Sequence, residues 1–330
     1  MARIVLGLGT SHSPMLVTRE DELGRLVERD ENNLLPFRDS KGRKISYQEL
    51  LATVPESGRD RATLDKMIAR ARAADTATER LRRELADARL DALVIVGDDQ
   101  NELMGEDNRP SLSVYYGETI ANGPPPPMPG MAGWLVDIRS RFWAAEGRPL
   151  PVAHGLARHM IEALVEKDFD VASSRHYADG QAEGHAIAYI HNFIMDAERP
   201  VPVVPVLLNT FYAPNRVTPR RAYQIGRAIA EVVEAYPENL RVGVLASGGL
   251  SHFVIDEGFD QRILAALAAK DKDALLAVPR EQLVDGTSET LNWICAAGAL
   301  EALPLRWSEY VPAYRSPAGT GTGLAFAAWH

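Results

Sequence analysis

The stretch Arg241-Val-Gly-Val-Leu-Ala-Ser-Gly-Gly-Leu-Ser-His252 decides the fold. Arg241 to Leu245 is an aliphatic, partly β-branched run preceded by Pro237-Glu-Asn, the pattern of a buried strand. Gly248-Gly249 ends it. Two glycines let the chain turn sharply and present Ser251 and His252 beyond the strand's carboxyl end, where open α/β sheets place their chemistry. A lone histidine there reads either as a side chain tied to a nearby carbonyl or as a reacting group. Two other histidines and two acidic clusters also follow strand-like runs, and they favour the second reading.

Upstream, Thr218-Pro219 sets a cap before a proline at the first helical position, so 219–235 is expected to be a helix returning to this strand. Before it, Val201 to Leu208 is apolar but interrupted by Pro202 and Pro205, which predicts an edge or irregular strand ending at Asn209. Ala92-Leu-Val-Ile-Val-Gly97 is a buried strand running into Asp98-Asp-Gln-Asn-Glu102. So many polar groups at the end of a central strand need partners, from a metal or a hydrogen-bond network, or else form a solvated loop with a helix cap. Near the amino terminus Ile4 to Leu8 is a strand followed at once by Gly9-Thr-Ser-His12-Ser-Pro14.

Between these strands the pattern turns helical. Thr18 with Asp21 and Ser46 with Glu49 resemble capping boxes, opening helices over 18–31 and 47–52, with a polar connection at 32–44. Leu64, Met67, Ile68, Ala71, Ala74, Leu81, Leu85 and Ala88 keep helical spacing with Arg and Glu on the other face. Asn122 to Gly130 is a stiff, polyproline-like loop that borders a site. Helices are expected at 156–167 and 186–195, a strand at 170–174, and a glycine-containing loop at 179–185. His185 and His191 are six apart and do not share a helix face, so His191 is read as structural.

Helices are predicted at 260–269 and 272–277, and Thr287 or Ser288 is expected to cap one running through Trp293 to Leu300. Glu289 then falls in the first turn, as a dipole partner or as a carboxylate ligand. Tyr310 to Tyr314 and Gly323 to Ala328 read as strands joined by a flexible glycine-rich loop from Ser316. The alternation of strand and helix predicts one α/β domain over 1–330, with a mixed, largely parallel sheet flanked by helices.

A net charge of −9 disfavours nucleic acid as a partner, and no segment reaches the apolar length of a membrane span. Met1 to Leu8 is too short for a signal-peptide core and is read as a strand of the mature protein. The single cysteine, Cys295, rules out an intramolecular disulfide and a zinc site built on several thiolates, and the cytoplasm is the expected compartment.

Five of these motifs, in order, resemble the class III extradiol ring-cleavage dioxygenases of the protocatechuate 4,5-dioxygenase β-subunit type. They are Thr10-Ser-His12-Ser-Pro, Val94-Ile-Val-Gly-Asp-Asp, Gly184-His185, Gly248-Gly-Leu-Ser-His252 and Ser288-Glu289. The single-chain enzymes acting on gallate or 3-O-methylgallate are the most similar subgroup, and a helical insertion at about 18–88 fits them.

The resemblance implies Fe(II) held by two histidines and one glutamate, a set that leaves coordination positions open for both oxygens of a catecholate and for dioxygen. Carried over, His12 is the first ligand, Glu289 the carboxylate, His252 the acid/base group for the catechol proton, and His185 a donor steadying substrate or oxygen. Gln100 stands where the family has its second histidine. An amide is a weaker donor than imidazole, so the site is altered, Asp98 or Asp99 contributes, or the metal chemistry is lost. The implied role is oxidation of aromatic compounds in lignin catabolism, with a catecholic acid and O2 as partners and a homo-oligomer, a dimer, as the assembly. A hydrolase using His12, Glu289 and Asp98 around zinc, and a non-catalytic binding protein on the same fold, are the alternatives.

Overall fold

Nine strands among the described residues form one sheet in the computed structural model, which describes residues 1–33, 36–39, 41–126, 130–178 and 180–330. They are β1 (Arg3–Thr10), β2 (Ala92–Asp98), β3 (Leu112–Tyr115), β4 (Ala172–Ser174), β5 (Val203–Leu208), β6 (Arg241–Ser247), β7 (His252–Val254), β8 (Leu305–Tyr314) and β9 (Thr320–Trp329). Their order is β7-β9-β1-β6-β2-β5-β3-β4, with β8 paired to the free edge of β9. The centre, β1, β6, β2 and β5, is parallel throughout, whereas β9 runs antiparallel to β1, β7 and β8, and β3 antiparallel to β5. The fold is therefore α/β around a mixed, largely parallel sheet.

A parallel sheet is stable when helices cover both faces, and its strands then read as unbroken apolar runs. In β2, Val94 and Val96 enter one core and Leu93 and Ile95 the other. The first core is closed by α2 (His154–Val165), α4 (Pro219–Ala235), α5 (Glu257–Ala269) and α6 (Thr290–Ala299). The second is closed by the long α1 (Leu64–Ala88) and by α3 (His185–Tyr189), which runs on into a wider turn at Ile190–Ile194. No helix among the described residues is long and apolar enough to cross a membrane.

Local signals set some element starts. Thr218 caps α4 by accepting from Arg221 N at 3.1 Å, and Ser46 and Glu49 form their reciprocal box around the helix Tyr47–Thr53. Elsewhere the structure departs from expectation. Thr18 is not the expected N-cap: its hydroxyl donates to Pro14 O, Glu22 Oε2 accepts from Arg19 N at 3.2 Å, and the α-helix runs over Leu23–Glu31. Val203–Leu208 is an interior strand despite Pro205. On the side away from β2 its partners are a bridge at Val203 and the ladder from Val206, so the missing N–H falls in a gap.

The glycine-rich stretch expected to be flexible is strand from Thr320 onward, because β7 and β8 pair it from both sides. Neither Thr287 nor Ser288 caps the helix after them. A tight turn, Asp285–Glu289, comes first, and Glu289 stands at the helix boundary. Parts of three expected loops, at 34–35 and 40, 127–129 and 179, lie outside the described residues.

Candidate metal centre

Three parallel strands end side by side, and each delivers polar groups to one rim. Thr10 of β1 is in register with Ser247 of β6, and Ala246 with Val96 of β2, so the residues that follow, His12, Gly248-Gly249 and Asp98 to Gln100, converge. Glu289 reaches the same place from the start of α6. Gly248 has φ +153, and a side chain there would strike Glu289 Cβ at 2.9 Å. A Cβ on Gly249 would lie 2.2 Å from His252 Cε1, so the turn needs glycine to let the ring pack on its backbone.

His12 is held in one tautomer. Ser247 Oγ donates to Ala186 O at 2.7 Å, so toward His12 Nδ1, 3.0 Å away, it can only accept. The ring proton is therefore on Nδ1. Nε2 keeps its lone pair and is buried with no hydrogen-bond partner, 3.7 Å from Glu289 Oε2. Burial, and then the positive charge of His185, hold the ring well below its ordinary pKa and hence neutral.

One potential ligand atom each from His12, Asp98, His185 and Glu289 lies within 4.8 Å of the others, and all four residues are buried. Glu289 accepts from Gly249 N at 2.7 Å and from Gln100 Nε2 at 3.0 Å. Asp98 accepts from Asn292 Nδ2 at 3.2 Å and from Gln100 Nε2 at 3.4 Å. Burial, followed by Asp98, raises Glu289 well above the carboxylate range, and burial raises Asp98 against the pull of His185. Two dehydrated acids beside an orphaned imidazole nitrogen are what a divalent cation would compensate, and the nitrogen and oxygen donors suit such an ion.

Gln100 faces this cluster with its amide nitrogen rather than with the oxygen expected of a ligand, because two buried carboxylates need a donor. Asp99 turns away and accepts from Leu103 N and Met104 N, and burial lifts it to about 6. His191 stands apart, its Nδ1 2.8 Å from Glu183 Oε2.

The other two histidines differ in charge. Burial disfavours the His185 cation, but Glu102, 2.7 Å from Nδ1, outweighs it and raises His185 to about 9. Its ring stands edge-on to His12 with centroids 4.5 Å apart. His252 has no carboxylate on Nδ1. That nitrogen donates to Leu250 O at 2.9 Å, leaving Nε2 bare and 3.8 Å from Glu289 Oε2, and burial lowers the ring to about 4. One imidazole is a fixed cation and the other a free base.

These groups open into a cavity of about 150 Å³ lined also by Leu135, Phe142, Phe253, Arg29, Arg139 and Arg315. A void of that size takes one benzene-sized ring. Sequence reasoning named His12, His185, His252, Gln100, Glu289 and the acids after β2. It did not single out Ser247, Glu102, Asn292 or the three arginines, whose roles come from partners distant in sequence. For Glu102 a signal existed in its position closing the acidic run.

Parts of this chain match known dioxygenases. A gallate dioxygenase of Pseudomonas putida is 29% identical over 171 residues, 47% of this chain and 48% of the relative. A 2,3-dihydroxyphenylpropionate/2,3-dihydroxicinnamic acid 1,2-dioxygenase of Comamonas testosteroni is 26% identical over 208 residues, 63% of this chain and 54% of the relative. One with the same name from Burkholderia vietnamiensis is 38% identical over 112 residues, 34% and 32% of the two chains. The chain thus spans about half, or less, of the length of these relatives. A family match runs over residues 135–325 and takes in His185, His252 and Glu289. Since it covers more than half of the sequence, the chain belongs to the family described as the catalytic LigB subunit of aromatic ring-opening dioxygenase.

Proposed function

We propose that this chain is a cytoplasmic, Fe(II)-dependent extradiol dioxygenase that opens the ring of a catecholic acid of the protocatechuate, gallate or 3-O-methylgallate type. The observation that carries the proposal is the bare, buried Nε2 of His12 clustered with the buried carboxyls of Asp98 and Glu289, where His12 and Glu289 line a ring-sized cavity. His12, Glu289 and Asp98 would hold the iron, with Gln100 tying the two acids together by its amide N–H groups. Bound there, Fe(II) supplies the electronic path between the aromatic ring and dioxygen.

The protein's own groups handle orientation and protons. His252 Nε2 is unprotonated at neutral pH and takes a proton from a substrate hydroxyl, then returns it as the ring opens, work matched to a positioned imidazole. His185, kept cationic by Glu102, offers a fixed positive hydrogen-bond donor to oxygen atoms gathering negative charge. Phe142, Leu135 and Phe253 give the ring apolar walls and keep water away. In the reaction one ring carbon–carbon bond next to the diol breaks, and each of its carbons gains one atom of O2.

Oxygen uptake by anaerobically Fe(II)-loaded protein, with protocatechuate, gallate and 3-O-methylgallate offered separately, tests this. A ring-opened product carrying both atoms of labelled O2 is expected. Iron-loaded protein that consumes no oxygen with any of the three would overturn it.

A further inference from the structure

We propose that Arg29 is the anchor for the substrate's ring carboxylate and so sets the preference for benzoate-type catechols over uncharged ones. The inference rests on the functional reading above and names what that reading leaves open, the group that meets the acid. Three guanidinium groups line the cavity. Arg315 is committed: it is almost wholly buried, and its Nε donates to Asp30 Oδ2 at 2.9 Å. Arg139 leans on Glu102 at 3.4 Å, within the pair that charges His185. Arg29, in the helix Leu23–Glu31, has no hydrogen-bond or ion-pair partner among the described residues, although it is partly buried and borders the same cavity.

A cation removed from water and left unpaired is unfavourable, and here the neighbouring arginines worsen it. Burial, and then Arg315, pull Arg29 below its ordinary pKa. An anion entering the cavity would relieve that strain. The planar guanidinium matches a carboxylate in two-point fashion, and it competes with no internal acid. Glu289 and His252 line the same cavity as Arg29 and would receive the hydroxyls, so the lining offers groups for both functions of a catecholic acid. Asp30, the adjacent acid, offsets part of that strain through its charge, but its hydrogen bonds go to Arg315 and to Thr320 Oγ1 at 2.6 Å and none goes to Arg29.

Calorimetric titration of the purified protein under nitrogen with protocatechuate and with catechol tests the assignment, in parallel with oxygen uptake by the iron-loaded form. Arg29→Met keeps the apolar stem and removes the charge. It should weaken protocatechuate about 10-fold to 100-fold, the range for losing a hydrogen bond to a charged group, and shift catechol by less than about 2-fold. Arg29→Lys should recover part of the protocatechuate affinity. Equal weakening of both ligands by Arg29→Met, or unchanged protocatechuate binding, would overturn the proposal. Should the charge-dependent binding persist with no oxygen uptake by wild type, the dioxygenase reading fails while the anchor stands. Oxygen uptake with protocatechuate affinity indifferent to residue 29 is the reverse case.

Discussion

His12 Nδ1 lies 3.0 Å from Ser247 Oγ, and since that hydroxyl gives its own proton to Ala186 O, a single serine fixes which nitrogen of His12 faces the cluster. Groups that orient a metal-binding histidine in this way are worth about 10-fold to 100-fold in metal affinity. Ser247→Ala is expected to lower Fe(II) affinity within that range while the protein stays folded. Titration with Fe(II) under nitrogen, beside a thermal melt, checks it. Unchanged affinity would mean that the ring holds its tautomer without the serine.

His252 should govern turnover and not metal content. Its bare Nε2 and lowered pKa make it a base, and removal of a positioned acid/base group slows catalysis by about two to four orders of magnitude. His252→Phe is expected to keep iron and lose turnover to that extent. Iron lost along with activity would make it a ligand instead.

Gln100 separates two versions of the site. Its amide nitrogen serves two carboxylates, so Asp98→Asn should release the metal, whereas Gln100→Ala should keep it within several-fold. Gln100→His supplies an imidazole and should tighten binding. Iron affinities of the wild type and the three variants, measured side by side, decide. If Gln100→Ala sheds metal while Asp98→Asn holds it, the third donor is the amide.

Asp260 gives a pH-dependent stability. It accepts from Ser251 N, Ser251 Oγ and Tyr310 OH within 2.8 Å, and burial raises it to about 6. The folded protein holds this proton more tightly than the unfolded chain, whose Asp titrates near 3.9. This stabilising contribution is therefore complete below about pH 4 and is lost as pH rises through about 6. Urea unfolding at pH 4.5 and pH 8 should show the advantage of wild type over Asp260→Asn shrinking, by on the order of 2 kcal/mol. A gap that stays constant or widens with pH would contradict the assignment.

Much of the frame was legible because it rests on local pattern. β2 announced itself as five apolar residues, and Thr218-Pro219 marked the start of α4. Errors arose where a neighbour overrode the local signal. Pro202 and Pro205 argued for an edge or irregular strand, yet the ladders beside Pro205 leave room for a residue without an N–H. The glycines near 320 argued for mobility, yet strands on both sides hold them. Within the site, histidines after strand ends and the acidic run closing at Glu102 were visible, while the pairing of Glu102 with His185 and the place of Arg29 beside the cavity were not. A charge on a solvated helix and a charge over a pocket look alike in one dimension.

His12 leaves the first strand and Glu289 opens the last helix, so nearly the whole chain must be in place before the two side chains can meet. A cation held between them would act as a reversible cross-link over most of the polypeptide. Its binding free energy would enter global unfolding, by RT ln(1 + [L]/Kd), and not merely the stiffness of one loop. Chelation would accordingly loosen the amino-terminal strand and the carboxyl-terminal helix as one event, and a chain cut short before residue 289 would have no site to fill.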